Sequence, residues 1–134
     1  MTNFKLTPLH YAISVQDLDE SINWYNNILG FTLIDKTYVE PAHSQCATMR
    51  NGSFEMEIFR HDDTRPMTEA RLDPDKNPQD QGPQHICFRV DDLDGFIEEV
   101  KSKGVKILIG PVMMGTTKLY YIADNNGIPI ELMN

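Results

Sequence analysis

The sequence predicts an α+β protein made of two tandem βαβββ modules, and three observations carry that prediction. The first is a repeat. PLHYAISVQDLD, from Pro8 to Asp19, returns as PQHICFRVDDLD from Pro83 to Asp94, with Pro, His, Val and Asp-Leu-Asp in matching places. The second is a change of period inside each copy. A β-rich apolar run gives way, behind an aspartate, to apolar residues at helical spacing. The third is a pair of hairpin signals, Asn51-Gly52 and Asn126-Gly127, each leading into a strand-like run. Self-similarity at this scale is the mark of a duplicated structural unit.

The elements follow in order. Leu9 to Val15 reads as a strand, with β-branched Ile13 and Val15 behind Pro8. Asp17 is an N-cap, and Glu20 three places on completes a capping box. Leu18, Ile22, Tyr25 and Leu29 then form one apolar helix face, and Gly30 supplies the left-handed stop. Phe31 to Val39 is the next strand, broken by Pro41, and Gln45 to Met49 is the third. Ser53 to Phe59 alternates strictly, so Phe54, Met56 and Ile58 face one way and Glu55, Glu57 and Phe59 the other.

His61 to Gly82 breaks the pattern. Pro66, Pro74 and Pro78 stand among many charges with no apolar period, which predicts a long surface connection; such a length without structure often serves a function, as a lid does. The second copy then repeats the first. Gln84 to Val90 is a strand, and Asp92 caps a helix with Leu93, Phe96, Ile97 and Val100 inward, stopped at Gly104. Val105 to Ile109, Lys118 to Ala123 and Ile128 to Met133 are its last three strands. The expected division is module one over 1–61, a connection over 62–82 and module two over 83–134, all within a single domain.

Composition bounds the function. The chain has 134 residues, 40% hydrophobic and 24% charged, which is ordinary for a globular domain. Its net charge is −8 with a pI near 4.8, which argues against nucleic acid as the partner. No apolar run reaches the roughly 20 residues of a membrane span, and MTNFKLTP lacks the apolar core of a signal peptide. Cys46 and Cys87 lie in apolar strand runs without CxxC spacing, so both read as reduced core thiols of a cytoplasmic protein.

The repeat also duplicates chemistry. His10 and His85 occupy matching places on the first strand of each copy. Glu57 and Glu131 follow them at separations that differ by one residue, each on the last strand of its copy and each followed by an aliphatic residue, Ile58 or Leu132. A lone histidine on a strand is usually an ordinary hydrogen-bonded residue, and a lone glutamate on an alternating strand is usually solvated. The matched pairs point instead to a site. If the copies pack about a two-fold axis, two imidazoles and two carboxylates converge, a donor set suited to a divalent ion such as Ni, Zn, Co, Mn or Fe. Glu55 shares a strand face with Glu57 and is the rival ligand. His43 and His61 have no counterparts in the second copy and read as surface or pocket residues.

On these residues the chain resembles the vicinal oxygen chelate superfamily, which includes glyoxalase I, methylmalonyl-CoA epimerase, extradiol dioxygenases and bleomycin or fosfomycin resistance proteins. The motifs that carry the resemblance are LHYAISVQDLDESINWYNNILGF, QHICFRVDDLD and ADNNGIPIEL, and it covers nearly the whole chain outside the central connection. It implies that each module curls into half a barrel around a metal. With Glu at position 57, the ligand set His10, Glu57, His85 and Glu131 looks like that of glyoxalase I and the epimerase. The same resemblance makes Glu131 and Glu57 the proton-transfer residues. GPVMMGTT, Gly110 to Thr117, is similar to a GPVxGGTT loop of bacterial glyoxalase I. Two cationic anchors for glutathione in that enzyme are replaced here by Ser14 and Met113, and Met113 with Met114 offers an adaptable apolar wall.

The resemblance therefore implies a metal-dependent, glyoxalase-like lyase or isomerase acting on a small carbonyl compound or its thiol adduct. The alternatives it leaves are a non-catalytic binder of an antibiotic or other small molecule, which needs no metal, and an extradiol-type dioxygenase. It also implies a homodimer, in which a module of one chain packs against a module of the other.

Overall fold

The computed structural model describes residues 3–134. The chain divides into two compact units, Met1–Thr64 and Arg65–Asn134. The first contains β1 (His10–Ser14), α1 (Leu18–Leu29), β2 (Thr32–Val39), β3 (Ser44–Asn51) and β4 (Phe54–His61). The second contains β5 (Ile86–Arg89), α2 (Leu93–Ser102), β6 (Ile107–Met114), β7 (Thr117–Ala123) and β8 (Pro129–Met133). Each unit is thus a βαβββ module with a four-stranded sheet. The strand orders, β1-β4-β3-β2 and β5-β8-β7-β6, are the same arrangement twice.

The order follows from the connections. The hairpin at Asn51-Gly52 sets β3 antiparallel to β4, with Met49 opposite Met56 and Ala47 opposite Ile58. The helix between β1 and β2 carries the chain across the sheet, so β1 returns parallel to β4 at its free edge. In the second unit β5 pairs parallel with β8, and β7 pairs antiparallel with β8 about the Asn126-Gly127 turn.

Helix boundaries sit where capping chemistry puts them. Asp17 Oδ1 accepts from the Glu20 backbone N–H at 3.0 Å, and Gly30 ends α1 in the left-handed region at φ 71°. Asp92 Oδ1 accepts from the Gly95 N–H at 3.1 Å. A Cβ on Gly95 would meet the Asp92 carboxylate as it is now placed, so a larger residue there would make that carboxylate shift.

Burial follows the two periods. In the first unit Leu18 and Tyr25 of α1 are buried with Met49, Met56 and Ile58; in the second Leu93, Ile97 and Val100 of α2 are buried with Ile122, Ile130 and Leu132. Each fully buried aliphatic side chain of this size contributes about 2 kcal/mol through removal from water. The Glu face of β4 is left half-buried, which keeps Glu55 and Glu57 reachable from solvent.

Three sequence expectations change. β6 does not stop at Ile109 but runs on through Gly110 and Pro111 to Met114, so most of the expected loop over 110–117 is strand. The ladder absorbs the two breakers by skipping register between Ile109 and Val112, and Gly110 takes φ 119° with Tyr120 and the Leu119 carbonyl packed where a Cβ would stand. The stretch expected to be irregular contains two short 3-10 turns, Glu69–Leu72 and Asn77–Gln79. Arg71 donates to the Pro83 carbonyl at 2.6 Å, and buried Asn77 donates to that of Gln84. Side chains, not an apolar period, hold this stretch against the second unit. Finally, both cysteines are free and Cys46 is buried, but Cys87 is exposed. Along the short strand β5 exposure alternates, with Cys87 and Arg89 the exposed positions. Among the described residues, no helix is long and apolar enough to cross a membrane.

Candidate functional site

The two histidines and two glutamates form one pair in each unit. In the first, His10 Nε2 lies 3.5 Å from Glu57 Oε2; the two side chains are 40% and 31% exposed. In the second, His85 Nε2 lies 2.8 Å from Glu131 Oε2, with exposures of 22% and 9%. The second pair is the tighter and the drier.

Strand register shows which glutamates correspond in the two units, although the direct ladder partner of His10 is Glu55. The residue two positions after each histidine is the one that faces the glutamate: Ala12 opposite Glu57, and Cys87 opposite Glu131. Glu57 and Glu131 are therefore corresponding positions. Two residues before Glu131 stands Pro129, which has no carboxylate to match Glu55. Glu55 is instead neutralised by Arg50, at 3.0 Å. Among the described residues, Glu57 and Glu131 have ion pairs only with histidine. A carboxylate paired only to imidazole and left without Lys or Arg keeps its charge available for a cation. That donor chemistry fits a divalent ion. Within either unit alone, no three of the described His, Cys, Asp or Glu side chains group closely enough to hold one.

The second pair has neighbours that the sequence reasoning passed over. Tyr121 of β7 is opposite Glu131 in the ladder, and its ring stands edge-on to the His85 ring with centroids 5.1 Å apart. Its hydroxyl lies 3.5 Å from His85 Nε2. Loss of hydration, then the Glu131 carboxylate, raises the Tyr121 phenol. Cys87 shares this environment. Though the residue is exposed, partial desolvation of its thiol and then the Glu131 carboxylate push it up to about 11. The signals were present: a turn centred on Asn126 puts Tyr121 and Glu131 equally far from it, and Cys87 is two residues after His85. His43 and His61 are exposed, and their rings stand edge-on with centroids 6.4 Å apart in the first unit.

Comparison with known proteins gives a consistent picture. Residues 7–132 match the family described as the Glyoxalase/Bleomycin resistance protein/Dioxygenase superfamily. The chain is 32% identical over 125 residues to the uncharacterized protein YaeR of Escherichia coli, covering 92% of each chain. It is 31% identical over 127 residues to a probable lactoylglutathione lyase of Synechocystis, covering 93% of this chain and 92% of that one. A glyoxalase family protein from Enterococcus faecalis shares the fold at a TM-score of 0.78 and 22% identity, over 96% of this chain and 97% of that one. With its doubled βαβββ architecture and this match along nearly its whole length, the chain belongs to the glyoxalase/bleomycin resistance protein/dioxygenase superfamily.

Proposed function

We propose that His10, Glu57, His85 and Glu131 together hold one divalent ion, and that the protein is a glyoxalase-like lyase or isomerase acting on a small carbonyl compound or its thiol adduct. The observation that carries this reading is the duplicated His–Glu pair at equivalent ladder positions, with neither carboxylate committed to a lysine or arginine among the described residues. The relative named a probable lactoylglutathione lyase supports the reaction class.

A divalent ion held by His10, Glu57, His85 and Glu131 would supply Lewis acidity toward a carbonyl oxygen. The chain's own residues do the rest. His10 and His85 bind through neutral ring nitrogens. One glutamate takes the proton from the hydroxyl-bearing carbon beside the carbonyl and returns it to the former carbonyl carbon, while the hydroxyl proton passes to the former carbonyl oxygen, so the substrate is isomerised with no net gain or loss of atoms. Glu131, nearly buried, is the better placed to hold a proton away from water, and Glu57, more exposed, is the second candidate.

Ser14 and Met113 stand where the glyoxalase I resemblance expects cationic anchors for glutathione, so the glutathione adduct is a poor substrate. A second copy of the chain is the proposed partner; Phe4, Leu6 and Leu9 ahead of β1 are exposed apolar side chains that such a partner would cover. The test is turnover of methylglyoxal hemithioacetals by metal-loaded protein across a set of thiols. The reading expects turnover with a small thiol and little with glutathione. No turnover with any thiol or with free carbonyl compounds would remove the lyase assignment.

A further inference from the structure

We infer that the Tyr121 hydroxyl positions Glu131 and His85, which makes it part of the ion-holding group although it is not itself a ligand. This rests on the metal-site reading above and deepens it. Three polar groups of the second unit meet here: the imidazole just ahead of β5, the carboxylate of β8 and the phenol of β7. His85 Nε2 is 2.8 Å from Glu131 Oε2 and 3.5 Å from the Tyr121 hydroxyl. Tyr121 is also the ladder partner of Glu131, so the backbone fixes its distance from the carboxylate. Its ring, packed edge-on against the imidazole at 5.1 Å, restricts how His85 can turn.

The hydroxyl has a distinct task. In the metal-free protein an imidazole N–H at Nε2 holds the Glu131 carboxylate. A ligating nitrogen has no such hydrogen, so binding removes that restraint. The phenol O–H then remains as a donor beside the carboxylate, able to fix the oxygen that does not ligate. Outer partners of this kind are worth 10–100-fold in metal affinity. In the first unit the residue opposite Glu57 is Thr48, whose short side chain carries no aromatic ring. The difference between the two units assigns the second unit the firmer half of the grip, in keeping with its shorter His–Glu contact.

Tyr121→Phe removes only the oxygen and keeps the ring against His85. Full-length wild type, Tyr121→Phe and His85→Ala are titrated with Co2+ alone, with dissociation constants from chelator competition and the visible absorption of the bound ion as a second readout. The expected result is about tenfold weaker binding by Tyr121→Phe and a changed Co2+ spectrum, with the thermal midpoint of the metal-free protein unmoved. Wild-type affinity and spectrum in Tyr121→Phe, alongside loss of binding in His85→Ala, would overturn this inference and leave the metal site standing. Wild-type binding by His85→Ala would instead remove the site and the inference with it. A readout independent of the variant's folding is the tyrosine absorbance of wild type during Zn2+ binding. A perturbation is expected, and its absence would overturn the role of Tyr121.

Discussion

Replacing each of three glutamates by glutamine separates the proposed ligands, Glu131 and Glu57, from their neighbour Glu55. Glu131→Gln keeps the shape of the side chain and removes its charge. In the metal-free protein the change exchanges a charge-assisted hydrogen bond to His85, at 2.8 Å, for a neutral one. Charge-assisted bonds are worth roughly 1.5–3 kcal/mol and neutral ones about 1. Relief of a nearly buried charge offsets part of that loss, so the metal-free fold should lose no more than about 1 kcal/mol, or about 4 °C in melting midpoint for a chain of this size. Metal binding is different, because an anionic oxygen is exchanged for a weakly donating amide. The expected loss is tenfold or more in affinity, at least about 1.4 kcal/mol. Glu57→Gln should lose less than Glu131→Gln, because its side chain is 31% exposed against 9% and water screens its charge. Glu55→Gln should lose nothing, since Arg50 already neutralises that carboxylate. Dissociation constants from chelator competition with Zn2+ or Ni2+ give the order. An equal loss in Glu55→Gln and Glu57→Gln would refute the assignment by register, and wild-type affinity in all three would refute the four-ligand account.

Three further outcomes follow from the same geometry. The Tyr38 phenol, whose hydroxyl donates to Asp62 at 2.6 Å, is raised by that bond to about 12, so ultraviolet titration should show a late tyrosine that Asp62→Asn returns toward 10. Because the folded value is the higher, the bond stabilises the fold fully below pH 10 and the contribution disappears between about 10 and 12; a melting midpoint that falls no further across that range in wild type than in Asp62→Asn would contradict it. Asp17→Ala removes the cap of α1 and should cost about 1 kcal/mol in urea denaturation, with no effect on metal affinity; wild-type stability would mean the cap is idle. If the ion is shared across a dimer by exchanged modules, mixing metal-free His10→Ala and His85→Ala proteins should restore part of the metal binding as subunits exchange, whereas sites built within single chains should stay empty.

Much of the fold was legible because local and global signals agreed. The repeat gave the duplication, Asp17 and Gly30 gave both ends of α1, and the strict alternation in β4 gave its buried face. What escaped was set by tertiary context. Gly110 and Pro111 read as a break, but a register skip carries β6 past them to Met114. The Pro-rich stretch between the copies shows no period, and its ties through Arg71 and Asn77 to the backbone ahead of His85 are single hydrogen bonds that no periodic pattern announces. In the candidate site, spacing alone left Glu55 open beside Glu57. The ladder, which aligns Ala12 with Glu57 as it aligns Cys87 with Glu131, shows that Glu57 is the position corresponding to Glu131. Tyr121 escaped because an aromatic residue on a β-rich run reads first as packing.

The central claim is that four side chains of a duplicated module hold one ion, and metal stoichiometry tests it most directly. Protein purified without chelator and without added metal should carry a divalent transition ion, approaching one per chain after equilibration with Ni2+, Zn2+, Co2+, Mn2+ or Fe2+. His85→Ala prepared in parallel should carry less than a tenth as much at limiting metal, given the 10-fold or greater loss expected of even a supporting partner. Wild-type protein that retains no ion from any of the five, or His85→Ala that retains as much as wild type, would contradict the account.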